Sequence, residues 1–392
     1  MSKPMNFVMI SPHFPTNFET FAHRLHEKGF RTLGIADAPY EELSQGLRDH
    51  LTEYYRVDNM EDYDQVYRAV AYFAHKYGKI DRIESHNEYW LELDARLRTD
   101  FNVFGYKNDD MLAIKTKAQM KEIFRSIGLK VAAGQVFHSD EEARKLAKEL
   151  KFPVIIKPNS GVGASDTYKI KSADELEDFF TYKTEGVDYI MEEFIDGDII
   201  TFDGLADHAG NIVFYSGLEY SDAVLSMIDS NDDMFFYVPR EFSPVMVEMG
   251  KKCVQAFKVR ERFFHFEFFR VRATGEIIPL EVNCRPPGGS TIDMWNYAND
   301  FDVFAEYANI VRDNTFEADI KHPYFCIYIA RKEGKDYKNS IDDIWRAYGD
   351  QVISVQSIPG VFAKIMGKEG VLARTETIDE MRELIAYCHE KN

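Results

Sequence analysis

Phe263-Phe-His-Phe-Glu-Phe-Phe-Arg270 and Glu276-Ile-Ile-Pro-Leu-Glu-Val-Asn283 are two runs of strand-forming residues joined by Ala273-Thr274-Gly275. A tight turn centred on Thr274 sets Glu267 opposite Glu281 and His265 opposite Asn283, all on one face of the pair. Directly opposed strand residues hold their Cβ atoms about 4.5–5.5 Å apart. Two bare carboxylates repel at that separation, so the pairing calls for a cation between them. Oxygen donors without thiolate favour Mg²⁺, a metal usually carried with a nucleotide, so Glu267 and Glu281 are the candidate metal ligands. A solvated strand face is the commoner setting for a strand glutamate. Against it stands the other face, Phe264, Phe266, Phe268, Ile278, Leu280 and Val282, which is wholly apolar. His265 is read as a hydrogen-bonding neighbour of this face and not as a ligand.

Around this hairpin the chain is long and aromatic. Its 392 residues exceed one ordinary core, and 45% hydrophobic with 14% aromatic content excludes a mainly disordered or low-complexity protein. A net charge of −19 opposes binding to nucleic acid or to an anionic membrane, so any bound phosphate must be met by a few local cations. Four scattered cysteines, with no CxxC spacing, point to free thiols in a reducing compartment. With no signal-like or membrane-length apolar run, a cytoplasmic location is expected.

The first hundred residues alternate strand and helix: strands at 6–10, 32–36 and 80–85, helices at 18–28, 63–77 and 88–98. That rhythm predicts a parallel sheet. A single helix is expected over 113–127. A small α+β unit follows, then an antiparallel run over 189–194, 199–207 and 212–218, a helix near 245–257, the carboxylate hairpin, a helix near 303–312, and a tail with a Ser357-Ile-Pro-Gly360 turn and a closing helix at 378–389.

Two further segments bear on chemistry. Val154-Ile-Ile-Lys-Pro158 puts Lys157 at the end of a buried strand, and Asn159-Ser-Gly-Val-Gly-Ala-Ser-Asp166 follows as a small-residue loop whose backbone could approach phosphate. It is neither a Walker A loop nor a Rossmann fingerprint, and alone it would equally suit an ordinary hairpin loop. Tyr189-Ile-Met-Glu-Glu-Phe-Ile-Asp-Gly-Asp198 runs from an apolar strand into a turn and could offer backbone to an adenine edge, or be a strand with acidic flanks. Serine- and zinc-hydrolase readings lack their minimum parts, since GxSxG and HExxH are absent.

The order of Lys115, Lys157 with its loop, the segment at 192, then Glu267 and Glu281-Val-Asn283-Cys-Arg285 resembles the ATP-grasp superfamily, most closely its carboxylate–amine ligases. The resemblance implies an α/β and α+β ATP-grasp fold: a Rossmann-like pre-ATP-grasp domain over 1–110, a small lobe over 111–190, a large lobe over 191–320 and a C-terminal lobe over 321–392. It implies ATP and Mg²⁺ as cofactors, with Mn²⁺ an acceptable substitute, and Glu267, Glu281 and Asn283 as the metal ligands. Lys115 and Lys157 would contact phosphates, and the loop from Ser160 to Thr167, with Gly161, Gly163 and Ser165, would close over them. Glu192, Glu193, Phe194 and Ile195 would form the adenine hinge, and Asp198 would hold the ribose where the family usually carries Glu. Arg285, Lys157 and Asn283 would serve catalysis, Arg285 steadying the transferring phosphoryl group or an acyl phosphate.

Pro286-Pro-Gly-Gly-Ser-Thr291 stiffens the exit from the metal strand and frees backbone N–H groups, so Gly288 and Gly289 beside Arg285 suit a substrate carboxylate, unless the segment simply reverses the chain. Asp222 is the candidate amine-binding residue. The expected reaction is ADP-forming ligation of a small carboxylate, such as an amino acid, to an amine, with small-molecule partners and a homodimer compatible with the family. The alternatives are a bicarbonate-activating carboxylase or carbamoyl-phosphate-synthase-like enzyme, and a nucleotide-binding regulator without turnover.

Overall fold

The computed structural model describes residues 3–161, 166–221, 233–358 and 366–392. The expected phosphate-loop residues Gly163 and Ser165, the candidate Asp222 and the end of the 357–360 turn lie outside them.

The N-terminal strands β1 (Asn6–Ile10), β2 (Arg31–Ala36), β3 (Glu53–Arg56) and β4 (Arg82–Glu84) form a parallel sheet in the order β3-β2-β1-β4. Asn6-Phe-Val-Met-Ile10 is buried along its whole length, which is why it reads as an unbroken apolar run and not as an alternation. The helix Tyr63–Tyr77 starts where the Asp62 side chain accepts from the Asp64 N–H and stops at Gly78, whose φ of 90° few other residues tolerate. Strand order reverses at β1, from which β2 and β3 lie to one side and β4 to the other, so the carboxyl ends of β1 and β4 flank a topological switch point.

A single helix over 113–127 does not form. Asn108–Lys115 and Lys117–Ser126 are separate helices, broken at Thr116, which is extended (φ −113°, ψ 125°). The cause is tertiary. The Lys117 N–H donates to the Asn159 carbonyl at 2.8 Å and the Ala118 N–H to Asn159 Oδ1 at 2.9 Å, so donors at the start of the second helix are satisfied by the strand end that carries Lys157.

A second sheet is antiparallel, β5 (Gly134–Phe137), β6 (Val154–Pro158), β7 (Tyr168–Ile170) and β8 (Tyr189–Glu193), ordered β5-β8-β6-β7. Residues 189–193 thus belong to this small sheet and not, as the strand-after-strand reading had it, to the larger antiparallel run. β8 lies between two partners, an arrangement local pattern does not reveal.

The large sheet contains β9 (Gly197–Ala206), β10 (Ile212–Ser216), β11 (Glu219–Tyr220), β12 (Phe235–Val238), β13 (Arg262–Val271), β14 (Ile277–Asn283), β15 (Phe325–Arg331), β16 (Val352–Ser357) and β17 (Glu369–Thr375), in the order β14-β13-β9-β11-β12-β15-β17-β16 with β10 beside β9. Strands of the C-terminal segment extend this same sheet. Phe264, Phe266, Phe268 and Val282 lie in a core with Phe202, Met246 and Cys253, where the helix Pro244–Ala256 covers one face of the sheet. The opposite face, at the β13–β14 end, carries the carboxylates.

The β13–β14 register is as the turn predicts from His265↔Asn283 to Glu267↔Glu281, then shifts, with Phe268 opposite Pro279 and Phe269 opposite Ile278. Proline has no N–H to give the ladder and is tolerated at bulges, which accounts for the slip at this point. One consequence corrects the sequence reading. Beyond the bulge it is Ile277, not Ile278 or Leu280, that joins the core of Phe264, Phe266 and Phe268.

Candidate active site

The site lies where the end of β6, the helix Lys117–Ser126, β13 and β14 converge. Lys157 and Glu192 are diagonal neighbours across β6 and β8, because Ile155 opposes Glu192. Their charged ends meet, Lys157 Nζ to Glu192 Oε2 at 3.0 Å, and Lys121 Nζ reaches the other oxygen at 2.9 Å. Burial alone would lower the Lys157 pKa, but the carboxylates of Glu192, Glu281 and Glu267 outweigh it and hold the ammonium above its ordinary value. Burial likewise pushes Glu192 up, and Lys157 and Lys121 more than offset that push. Lys157 is therefore a permanent cation, buried yet surrounded by acceptors.

The structure brings Lys117, and not Lys115, beside these groups. Lys115 closes the helix before the break, whereas Lys117 starts the helix after it, is 6% exposed, and stands with its Nζ 3.6 Å from Glu281 Oε1. Lys117, Lys157, Ser160 and Gly161 line a cleft of about 220 Å³ at the root of the small-residue loop. Sequence order alone could not choose between lysines two residues apart. The signal that could have done so is the i, i+4 pairing of Lys117 with Lys121 on one helix face.

Glu267 and Glu281 oppose each other as expected, but their environments differ. Glu267 is pushed up by burial and pulled down further by His265, with help from Arg285 and Lys157, so its pKa lies below the ordinary value. Glu281 is raised by burial and by the Glu267 charge, and Lys117 only partly compensates. His265 donates in both directions, with Nδ1 2.7 Å from Asp203 Oδ1 and Nε2 3.2 Å from Glu267 Oε1. Burial opposes its protonation, but the two carboxylates raise its pKa to about 9. Asp203 was not anticipated. It is fully buried on β9, and the only hint in the sequence is the alternation of Thr201 and Asp203 with apolar neighbours along that strand. Asn283 is buried beside the pair on the same face.

The hinge segment is only partly as expected. Glu192 is held by two lysines and is in register with both β5 and β6, so neither its side chain nor its ladder is open. Glu193 accepts from the Ala133 N–H at 2.7 Å. Phe194 lies beneath Lys169 Nζ, 3.6 Å from the ring centre, and with Ile195 it is the first of the segment beyond β8. Asp198 pairs with Arg272 Nε at 2.9 Å, so a ribose would have to share it.

Arg285 joins the large sheet to the N-terminal domain, donating to Glu88 Oε2 at 2.5 Å and to the Pro286 carbonyl at 3.0 Å. Glu88 comes from the loop after β4, at the crevice where strand order reverses. Pro286 and Pro287 are buried, whereas Gly288 and Gly289 are exposed, and Gly289 has a φ of 62° that favours glycine. The Gly289 carbonyl accepts from Asn17 Nδ2 at 3.0 Å, and Ser290 Oγ contacts Gln356 Oε1 at 3.2 Å, so the loop is braced by both ends of the chain.

Residues 150–293, which contain these lysines and carboxylates, match the ATP-grasp domain family. An L-arginine-specific L-amino acid ligase of Bacillus subtilis is 26% identical over 292 residues, 69% of this chain and 68% of that protein. The fold is similar to that of an L-amino acid ligase from Bacillus licheniformis, with a TM-score of 0.77 at 16% identity, covering 98% of this chain and 97% of that one. It is also similar to the biotin carboxylase domain of the Hydrogenobacter thermophilus 2-oxoglutarate carboxylase, solved with MgADP and bicarbonate, with a TM-score of 0.69 at 16% identity over 98% of this chain and 90% of that one. The matched segment and the fold around it are those of the ATP-grasp superfamily. Within it, this chain is similar to L-amino acid ligases.

Proposed function

We propose that the chain is an ATP-dependent, ADP-forming carboxylate–amine ligase that activates a small carboxylate, an amino acid, as an acyl phosphate and joins it to an amine. The observation that carries the proposal is the meeting of Lys117, Lys157 and Arg285 with the opposed pair Glu267 and Glu281 at one end of the large sheet. The likeness to L-amino acid ligases supports the amino-acid choice.

Among the described residues no three His, Cys, Asp or Glu side chains converge as a ready metal cage. Two carboxylates and an amide oxygen are nonetheless the hard donor set that Mg²⁺ accepts when it also binds phosphates. Glu267 and Glu281 oppose each other in register, and burial first and the Glu267 charge after it hold the Glu281 pKa up; a cation between them would offset both, so the residues fit the metal. Glu267, Glu281 and Asn283 would hold Mg²⁺, which when bound offsets the charge of the polyphosphate.

In the reaction the substrate carboxylate oxygen attacks the γ-phosphorus of ATP, and ADP leaves. The amine nitrogen then attacks the acyl carbon, phosphate leaves, and the nitrogen gives up a proton to form the amide. Lys117 and Lys157 hold phosphate oxygens, Arg285 holds the acyl phosphate through its planar fork, and Gly288 and Gly289 offer N–H groups to the carboxylate. Phe194 and Ile195 serve the adenine.

The test is ADP release scanned over amino acids and small carboxylic acids, singly and in pairs. Release that requires an acid and an amine, with an amide as product, is the expected result. Release on bicarbonate alone would replace the proposal with a carboxylating enzyme, and nucleotide binding without any release would leave a regulator.

A further inference from the structure

Three buried polar side chains behind Glu267 form a continuous line that the reaction described above does not use. The Leu218 N–H donates to Thr201 Oγ1 at 2.7 Å, the Thr201 hydroxyl donates to Asp203 Oδ2 at 2.6 Å, Asp203 Oδ1 accepts from His265 Nδ1 at 2.7 Å, and His265 Nε2 reaches Glu267 Oε1 at 3.2 Å. Thr201, Asp203 and His265 are 3%, 0% and 7% exposed. The line crosses the sheet because the β9–β13 register sets His265 opposite Asp203 and Glu267 opposite Thr201. A carboxylate buried this completely is costly unless paired, and its partner is a histidine whose other nitrogen is directed at a carboxylate of the site.

We propose that Asp203 and His265 are positioning residues that set the Glu267 carboxylate for the metal. With Nδ1 held against Asp203 Oδ1, the ring has one orientation, and Nε2 then faces Oε1 of Glu267. Oε2 is left as the oxygen offered to the cation, so Glu267 acts through a single oxygen. Thr201 and the Leu218 N–H fix Asp203 in turn, which makes the orientation a property of the sheet and not of one rotamer. This inference rests on Glu267 being a metal ligand, as proposed above.

The measurement is calorimetric titration of Mg²⁺ into the full-length protein with ADP present, with circular dichroism to establish the fold. Wild type is compared with His265→Ala, His265→Gln, Asp203→Asn and the double variant Asp203→Asn/His265→Ala, and Glu267→Gln is the reference. His265→Ala is expected to weaken Mg²⁺ about 10–100-fold, the usual cost of removing such a support. His265→Gln, whose amide can replace Nε2–H but not Nδ1–H, should restore part of the loss. Asp203→Asn is isosteric, so it remains informative if the alanine variant does not fold. It should weaken Mg²⁺ by a smaller factor, and the double variant should be no weaker than His265→Ala, because both act on one carboxylate. If Glu267→Gln loses Mg²⁺ while folded His265→Ala and Asp203→Asn stay within about twofold of wild type, the positioning role is overturned and the metal reading stands. If Glu267→Gln itself binds Mg²⁺ like wild type, the metal reading fails and the positioning role with it.

Discussion

Glu267 and Glu281 face each other across β13 and β14, yet one is held below the ordinary carboxylate range and the other above it. The asymmetry comes from neighbours. Glu267 has the His265 imidazolium at 3.2 Å, whereas the nearest cation to Glu281 is Lys117 at 3.6 Å. Both lose solvation, so Glu281 carries most of the strain of the pair without a metal.

Replacing Glu281 with Gln should therefore separate stability from activity. The substitution keeps the side chain's shape and removes the carboxylate that repels Glu267, so thermal stability without Mg²⁺ should be unchanged or higher. Mg²⁺-dependent ADP formation should fall roughly 100-fold or more, beyond the usual loss for a mere supporting residue. Melting temperature and ADP release measured on the same preparation check both halves. Wild-type turnover by the folded variant would remove Glu281 from the site.

Lys117 and Lys115 provide an internal control. Lys117→Met takes a cation from beside Glu281 and from the cleft wall, and should lower nucleotide affinity and turnover by roughly tenfold or more, the cost of one charge-assisted hydrogen bond. Lys115→Met, at the end of the preceding helix, should remain close to wild type. Calorimetry with ADP distinguishes them, and the reverse ranking would restore Lys115 as the phosphate lysine.

That ranking shows what the sequence makes legible and what it does not. The hairpin register is legible because side chains alternate with period two, so a turn at Thr274 fixes which residues oppose, and only the slip at Pro279 departs from it. The helix Tyr63–Tyr77 is legible from its cap and its terminal glycine. The break at Thr116 is not, since it depends on hydrogen bonds to Asn159, distant in the chain. Asp203 and the pairing of Glu192 are missed for one reason: a lone acidic residue in an apolar strand has no meaning until its partners, His265 or Lys157 and Lys121, are beside it.

Burial also sets a pH response in the N-terminal domain. His86, stacked on Phe21 at 3.9 Å, is driven by burial to a pKa of about 4, against 6.5 when free. The unfolded chain takes up this proton below pH 6.5 and the folded protein does not until about pH 4, so His86 removes stability as pH falls through that window, by up to about 3 kcal/mol. Asp94, pushed by burial to about 7, acts in the opposite sense, because the folded state binds its proton first. The wild-type profile should consequently be shallow. His86→Asn, which tolerates the left-handed backbone at φ 57°, should be less stable near pH 7 and gain relative to wild type as pH is lowered from 6.5 to 4. Urea unfolding across that range tests it, and parallel curves for the two proteins would exclude His86 as the titrating group.

The last prediction concerns the intermediate and the role of Arg285. An acyl phosphate is an electrophile, so hydroxylamine should intercept it and give a hydroxamate in step with ADP when an accepted acid is present and the natural amine is not. Arg285 is held at the mouth of the crevice by Glu88 and the Pro286 carbonyl, which leaves its guanidinium a defined direction. A planar fork can meet a carboxylate or acyl phosphate with two parallel hydrogen bonds, and an ammonium cannot. Arg285→Lys should therefore lose most hydroxamate formation, roughly tenfold to a hundredfold, although the charge is kept. Binding of ADP should change little, because the lysines at 117 and 157 are untouched. If ADP and amide appear with an accepted acid and amine, but trapping never yields a hydroxamate, activation does not pass through a free acyl phosphate. If Arg285→Lys traps as efficiently as wild type, the fork geometry is not what the site uses, and Arg285 serves instead to lock Glu88 and the N-terminal domain onto the large sheet.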